Sequence, residues 1–350
     1  MSIRKKLGMS FVALLALLAC VCFNIVFNGC GGKKTYEYRL TYSIFFPPVH
    51  IQTKQAEEWA REIEKRTNGR VKIDIFSGGV LSGAAENYDC VANGVSDLGM
   101  SCLSYSRGLF PMAECLDFPM GYPDGKTATL VANDFIAEFN PAEFNETHLL
   151  YLHAHGPGVL AARDNICSLD YMKNLSIRGT GITAQVIKQL DGNAVGLPQG
   201  ETFEALRKGV VHATLCPIET LKGWKQGEVI NYVVKIPAIG YTTAMFVTMN
   251  KKTWAKLPPD IQEVFTQVSK EFIPRHGAAW DEADLTGRQF VKELGKTFTE
   301  VTPAENERIA AKLEPIFGRW SSQAEARGLP GKKAVAYIRE RIEHYSRSAK

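Results

Sequence analysis

The sequence predicts an α/β fold laid down in two successive series and finished by a helical tail. Three observations carry this. Strand and helix periodicities alternate from Tyr36 to Met100, a second alternation follows the Gly156-Pro157-Gly158 break, and from Pro258-Pro259-Asp260 onward the pattern is almost entirely helical. At roughly 150 residues per domain, the 350-residue chain has room for about two domains with well-buried cores.

Tyr36 to Tyr42 alternates as a strand, and Ile44-Phe45-Phe46-Pro47-Pro48 breaks it into a loop. Ile51 to Thr67 sets Ala56, Trp59, Ala60 and Ile63 on one helix face, and Asn68-Gly69 stops it. Val71 to Phe76 alternates strictly, Tyr88 to Asn93 reads as a helix, and Leu98-Gly99-Met100 as a short strand. This order argues for a largely parallel sheet with covering helices. His148 to Ala154 and Val159 to Ala162 are strands on either side of the Gly-Pro-Gly break. The second series runs through a strand at Leu175 to Arg178, a helix from Ala184 to Leu190, a strand at Ala194 to Leu197 and a helix from Glu201 to Lys208. Val229 to Ile239 and Ala244 to Met249 are further strand-like runs. In the tail the Pro258-Pro259 pair suits a helix start, and Pro274 is expected to bend or break the run.

Charge and cysteines exclude several functions. The net charge is +4, of which Arg4, Lys5 and Lys6 supply three, so the rest carries no basic excess suited to nucleic acid. Those basic residues precede an apolar run from Leu7 to Phe27, the pattern of a secretory signal. Cys30, before Gly-Gly-Lys-Lys, is the favoured lipidation site, because cleavage there removes the whole apolar run. Cys20, in Leu17-Leu18-Ala19-Cys20, is the second, and a soluble secreted form or an uncleaved anchor remain open. Each alternative puts the folded part outside the cytoplasm, in the periplasm. Beyond this segment stand Cys90, Cys102, Cys115, Cys167 and Cys216, an odd set without Cys-x-x-Cys spacing, which is not a disulfide framework. His153 and His155 share one strand face, but no third ligand stands at a persuasive spacing, so no metal or cofactor is expected.

Several stretches resemble the extracytoplasmic solute-binding proteins of TRAP transporters, DctP type. In the first series these are Arg66-Thr67-Asn68-Gly69-Arg70-Val71-Lys72-Ile73, Gly78-Gly79-Val80-Leu81, Glu86 and Gly94-Val95-Ser96-Asp97-Leu98-Gly99. In the second they are Leu169 to Arg178, then Pro198, Glu201, Ala205, Leu206, Gly209 and Val211, and finally Asn250 to Pro258. Their order and spacing carry the resemblance. It implies a two-lobed, periplasmic-binding-protein-like clamshell with interlobe crossovers and a long helix spanning both lobes. By that plan residues 1–34 are signal and tether, 35–155 plus 243–281 form lobe I, and 156–242 plus 282–350 form lobe II. It also implies that the protein hands an organic acid to the small and large membrane subunits of a permease.

A receptor for an organic anion needs a cation that stays charged and grips a carboxylate in a fixed orientation, which a guanidinium does through two parallel hydrogen bonds. Arg178 is the candidate. It ends a predicted strand ahead of Gly179-Thr180-Gly181, whose amides, with Thr180 among them, stand before a helix where an anion is favoured. The family's carboxylate-binding arginine falls at the equivalent strand end. By the same resemblance Cys216 stands where many members carry a ligand-binding Asn, and Gly158 where some carry a second Arg. Both changes remove polar anchors and suit a cargo with more apolar surface, such as an aryl or indole monocarboxylate; a C4-dicarboxylate or sugar acid is the alternative.

Phe45 and Phe46 follow the first strand at a position that in this family faces the cleft. Adjacent residues of an extended chain point to opposite sides, so at most one is expected to wall the pocket. Tyr105, Phe110, Tyr122 and Tyr241 are weaker wall candidates, Glu86 aligns with a family glutamate beside the cleft, and Trp224 reads as a packed helix anchor. Arg163 resembles a structural arginine near the hinge. Without a Gly-x-Ser-x-Gly, His-Glu-x-x-His or phosphate-loop motif, an exported acid–base enzyme has little behind it, and a sensor-associated receptor would share the same site.

Overall fold

The computed structural model describes residues 35–348, so the export segment with Cys20 and Cys30 lies outside the described residues. The chain from Arg39 onward forms one unit. The strands are β1 (Tyr38–Ile44), β2 (Val71–Phe76), β3 (Leu98–Cys102), β4 (Thr147–Ala154), β5 (Val159–Ala162), β6 (Ser176–Arg178), β7 (Asn193–Val195), β8 (Ala213–Cys216), β9 (Tyr232–Lys235), β10 (Ala244–Asn250) and β11 (Thr297–Glu300). The helices are α1 (Ile51–Arg66), α2 (Asn87–Ala92), α3 (Gly125–Phe139), α4 (Leu169–Met172), α5 (Gly181–Gln189), α6 (Gln199–Lys208), α7 (Thr220–Gly223), α8 (Lys251–Lys256), α9 (Pro259–Glu293), α10 (Pro303–Ala326) and α11 (Gly331–Ser348).

Two sheets form, one per lobe, in the orders β2-β1-β3-β10-β4 and β11-β9-β5-β8-β6-β7. Both carry the parallel order that the opening series predicts, interrupted in each by one reversed strand. β1 and β3 run parallel, as do β6 with β7 and β8, but β10 opposes both of its neighbours and so does β5. The reason is the path of the chain. β5 and β10 are the strands by which it enters one sheet from the other, and each arrives from the far end. The two crossings lie side by side: the Gly158 amide donates to the Tyr241 carbonyl at 2.9 Å, and the Thr242 hydroxyl to the His155 carbonyl at 2.5 Å. These paired crossovers join the two lobes.

Local signals behave as elementary chemistry requires. The His50 ring caps α1 by accepting from the Gln52 amide at 3.2 Å, and Asn68 and Gly69, both at positive φ, end the turn after it. α9 runs unbroken through Pro274, against the expected kink. Its apolar face is buried along its length, with Phe265, Val268 and Phe272 on lobe I and Val291 on lobe II, at about 1.5–3 kcal/mol for each such side chain, and this outweighs one lost backbone hydrogen bond. Near its C-terminal end Gly287 lets the helix settle on lobe II, since a Cβ there would lie 2.5 Å from the Ile218 carbonyl oxygen. One rigid rod thus backs both lobes.

α3, β8 and β11 were not read from the sequence. The tail is interrupted by β11, and its last helix packs on α10 and also returns to lobe I, where Arg341 Nε donates to Asp134 at 2.8 Å. The five cysteines among the described residues are free. Within the same residues no helix is long and apolar enough to cross a membrane.

Candidate ligand-binding site

Arg178 sits at the end of β6, where the backbone turns through Gly179 into α5, and only 5% of its surface is exposed. Its Nε donates to the Leu197 carbonyl at 2.9 Å, Nη1 to the Leu215 carbonyl at 3.5 Å and Nη2 to the Tyr105 hydroxyl at 3.4 Å. All three acceptors are neutral oxygens. Among the described residues no carboxylate lies within ion-pairing distance of this guanidinium. A buried cation held in place but not neutralised is a standing demand for an anion.

The walls around it are aromatic. Phe45 and Phe46 lie with ring centroids 4.1 Å apart and both face the cavity, which corrects the expectation that only one would. The chain leaves the extended conformation at Ile44 and bends, so the alternation that would separate the two rings no longer applies. Phe45 stacks on Trp224 of lobe II at 6.1 Å and 17°, and meets Tyr105 edge-on at 5.6 Å. Trp280 and Tyr241 complete the ring. Trp224 is therefore a wall residue and not simply a packed anchor.

Contacts across the cleft hold the lobes together. The Gln199 amide donates to the Tyr105 hydroxyl at 3.0 Å, Ser104 and Thr180 hydroxyls meet at 3.4 Å, and His50 Nε2 lies 2.9 Å from Glu219 Oε2. Because Nδ1 of His50 already accepts from a backbone amide, Nε2 carries the proton and donates to the carboxylate. The cavity left between the walls is about 30 Å³, space on the scale of a water and not of a ring, so a ring-bearing cargo requires the walls to part. Outside it a wider recess of about 420 Å³ between Pro47, Gly79, Glu86, Pro198 and Trp224 forms the mouth.

Other expected positions fall differently. Glu86 is exposed at the mouth and not in the inner cavity. Cys216 is fully buried in the apolar cluster of lobe II with Val159 and Leu221, where burial pushes its thiol up to about 12, and its neighbour Pro217 lines the cavity instead. β8 is covered on both faces, so the strand end alone does not decide which side chain looks into the cleft. Gly158 lies behind the wall: a Cβ there would be 2.0 Å from Tyr241 Cε1, so the Tyr241 ring fills the space a side chain at 158 would take. Tyr105 lines the cavity, whereas Phe110 and Tyr122 pack in the core. Arg163 is exposed on the surface.

Gln199, Glu219, His155 and Trp280 also line the cavity and were not read from the sequence as site residues. Gln199 follows the signature proline, a signal that was present; nothing local marks the others. His153 and His155 do share a strand, but His153 accepts from Trp280 Nε1 at 3.1 Å and stacks on His276 at 4.7 Å. Burial holds all three rings neutral, lowering His155 to about 4 and His276 to about 3. No set of three or more metal-ligating side chains forms among the described residues.

Asp284 of α9 receives the Glu219 amide at 2.9 Å at the back of the cleft, and burial raises its pKa from 3.8 to about 7. The folded state therefore holds this proton more tightly than the unfolded chain. Stability from this group is complete below about pH 4 and is lost as the pH rises through 7. Denaturant unfolding between pH 4 and 7 should show Asp284→Asn with a shallower decline than the parent. Glu143, raised to about 7 by burial, contributes the same sign and sets a residual slope. Parallel declines in parent and variant would remove Asp284 from this account.

Two α/β lobes joined by adjacent crossovers and closed over a buried, unneutralised arginine define a bilobal solute-binding protein. The chain belongs to the bacterial extracellular solute-binding proteins of family 7, DctP, whose profile matches residues 42–323. It is 28% identical over 276 residues, 74% of this chain and 72% of the other, to a monocarboxylate 2-oxoacid-binding periplasmic protein of Nostoc. A TRAP periplasmic solute-binding protein of Desulfovibrio salexigens, in an open complex, superposes with TM-score 0.78 at 27% identity, covering 88% of this chain and 97% of that one. One from Bordetella bronchiseptica with bound (R)- and (S)-mandelate gives TM-score 0.82 at 25% identity, covering 88% and 99%. The protein is thus a TRAP solute-binding protein, an extracytoplasmic transport component of a family whose members work with a membrane permease, and not an enzyme.

Proposed function

We propose that this protein captures a monocarboxylate with an apolar or aromatic body, its carboxylate on Arg178 and its body between Phe45, Phe46, Trp224, Tyr241 and Trp280. The observation that carries the reading is the buried guanidinium whose hydrogen-bond partners are all neutral, set inside an aromatic ring. A dicarboxylate is the poorer match. Among the described residues Arg178 is the one Lys or Arg lining the cavity, and a second carboxylate would have Glu219 among the groups that line it. The mandelate held by the Bordetella protein and the monocarboxylates named for the Nostoc protein support the same class.

Capture works by closure. Lobe I, 35–155 plus 243–281, and lobe II, 156–242 plus 282–348, swing about the paired crossovers, and a ligand touching both stabilises the closed form by its differential affinity. Delivery is to the small and large membrane subunits of a TRAP permease, from the periplasm, with the chain tethered through a lipid on Cys30 in preference to Cys20. A thermal-shift screen tests the cargo class. Aryl and arylalkyl monocarboxylates should raise the melting temperature in a concentration-dependent way, while succinate and glucuronate should not. The reverse ranking would overturn the assignment.

A further inference from the structure

Gln199 is only 7% exposed, lines the cavity, and its side-chain Nε2 has no hydrogen-bond partner among the described residues. A buried amide donor left unmatched is costly, and native interiors rarely tolerate one without a role. Its position gives the role. The backbone amide of Gln199 and the Arg178 guanidinium both donate to one atom, the Tyr105 hydroxyl, at 3.0 and 3.4 Å, and Arg178 Nε is anchored on Leu197, two residues before Gln199. The amide donor is therefore mounted on the same short segment that orients the guanidinium. That segment is stiffened where Pro198 leads into α6.

The geometry points to Gln199 as a second anchor that selects acids carrying an oxygen acceptor on the carbon next to the carboxylate, a 2-oxo or 2-hydroxy group. This rests on the reading of Arg178 as the carboxylate anchor. An acceptor beside the carboxylate is the ligand oxygen nearest the guanidinium that lies off the carboxylate itself, and the neighbouring donor meets it without reaching past the aromatic walls. The remaining walls offer no comparable neutral amide. Among the other polar groups there, the Tyr105 hydroxyl already accepts from two donors, and the other unpartnered donor, Trp224 Nε1, stands on a segment separate from the one that orients the guanidinium. Discrimination follows from the asymmetry of buried hydrogen bonds: an acid lacking the oxygen leaves Nε2 unmatched in the closed cleft, while an oxygenated acid satisfies it.

Titration calorimetry with matched acids tests this, using phenylpyruvate and phenyllactate against 3-phenylpropionate. The parent protein should bind the oxygenated acids at least tenfold more tightly than the plain one. In Gln199→Leu, which keeps bulk and removes the donor, that ratio should fall below about threefold. Gln199→Met serves as the second variant if Gln199→Leu melts early, and Gln199→Glu, which accepts but does not donate, should turn the ratio against phenylpyruvate while phenyllactate, whose hydroxyl can donate to it, keeps its advantage. A parent ratio near one, or a ratio unchanged in Gln199→Leu and Gln199→Met, overturns the inference while leaving the carboxylate reading intact. Failure of the parent to bind any of the three acids overturns both.

Discussion

Arg178→Ala should lose at least 30-fold in affinity for its carboxylate while remaining folded. Truncating one partner of a buried, hydrogen-bonded charge pair costs about 2–5 kcal/mol, and every 1.4 kcal/mol is roughly tenfold. Much of that cost is the desolvated carboxylate left facing the Leu197 and Leu215 carbonyls and the Tyr105 hydroxyl, oxygens that the guanidinium now occupies. Arg178→Lys should recover only part, because an ammonium keeps the charge but cannot hold two carbonyls, a phenol and a carboxylate in one plane. Calorimetry on both variants, with melting curves of the free proteins, separates binding from folding. Near-native affinity in Arg178→Ala would remove this residue from the site.

Gly158→Ala is the second large effect, and it acts through a residue with no side chain of its own. The added methyl would sit 2.0 Å from Cε1 and 2.6 Å from Cδ1 of Tyr241, a ring that is itself buried and set edge-on to His155. Overpacking of this kind costs about 1–3 kcal/mol. The open direction for the ring is the small cavity it lines, so the substitution should block ligand as well as lower stability. Tyr241→Ala should make the two changes non-additive: the double variant should be no less stable than Tyr241→Ala alone. Additive losses in denaturant unfolding would show that the ring and position 158 do not share that space.

Arg178, the proposed carboxylate anchor, was legible because its signal is local. A strand end, three small residues and a helix start stand in one stretch, and the family pattern aligns there. The cargo preference stood on Cys216, Gly158 and the Phe45-Phe46 pair, and only the pair lines the cavity. Cys216 points into the lobe II core, and Gly158 matters as room for Tyr241, a contact between two crossovers more than 80 residues apart in sequence. Gln199, the Glu219–Trp224 pair that flanks α7, and Trp280 come from three separate segments, so no window of sequence contains the pocket they line. Pro274 shows the same limit in the fold, since local propensity ends a helix there and burial of its apolar face on two lobes keeps it whole.

By itself the sequence determined the α/β series, most strand and helix positions, the family and the strand-end arginine. Each follows from periodicity, capping or a contiguous motif, interactions that reach over a few residues. The tertiary structure alone decided the antiparallel entries of β5 and β10, which side chain of each strand end faces the cleft, and the composition of the aromatic ring. These depend on how two sheets, the paired crossovers and one long helix exclude volume from one another. That exclusion is a property of residues distant in the chain and adjacent in space.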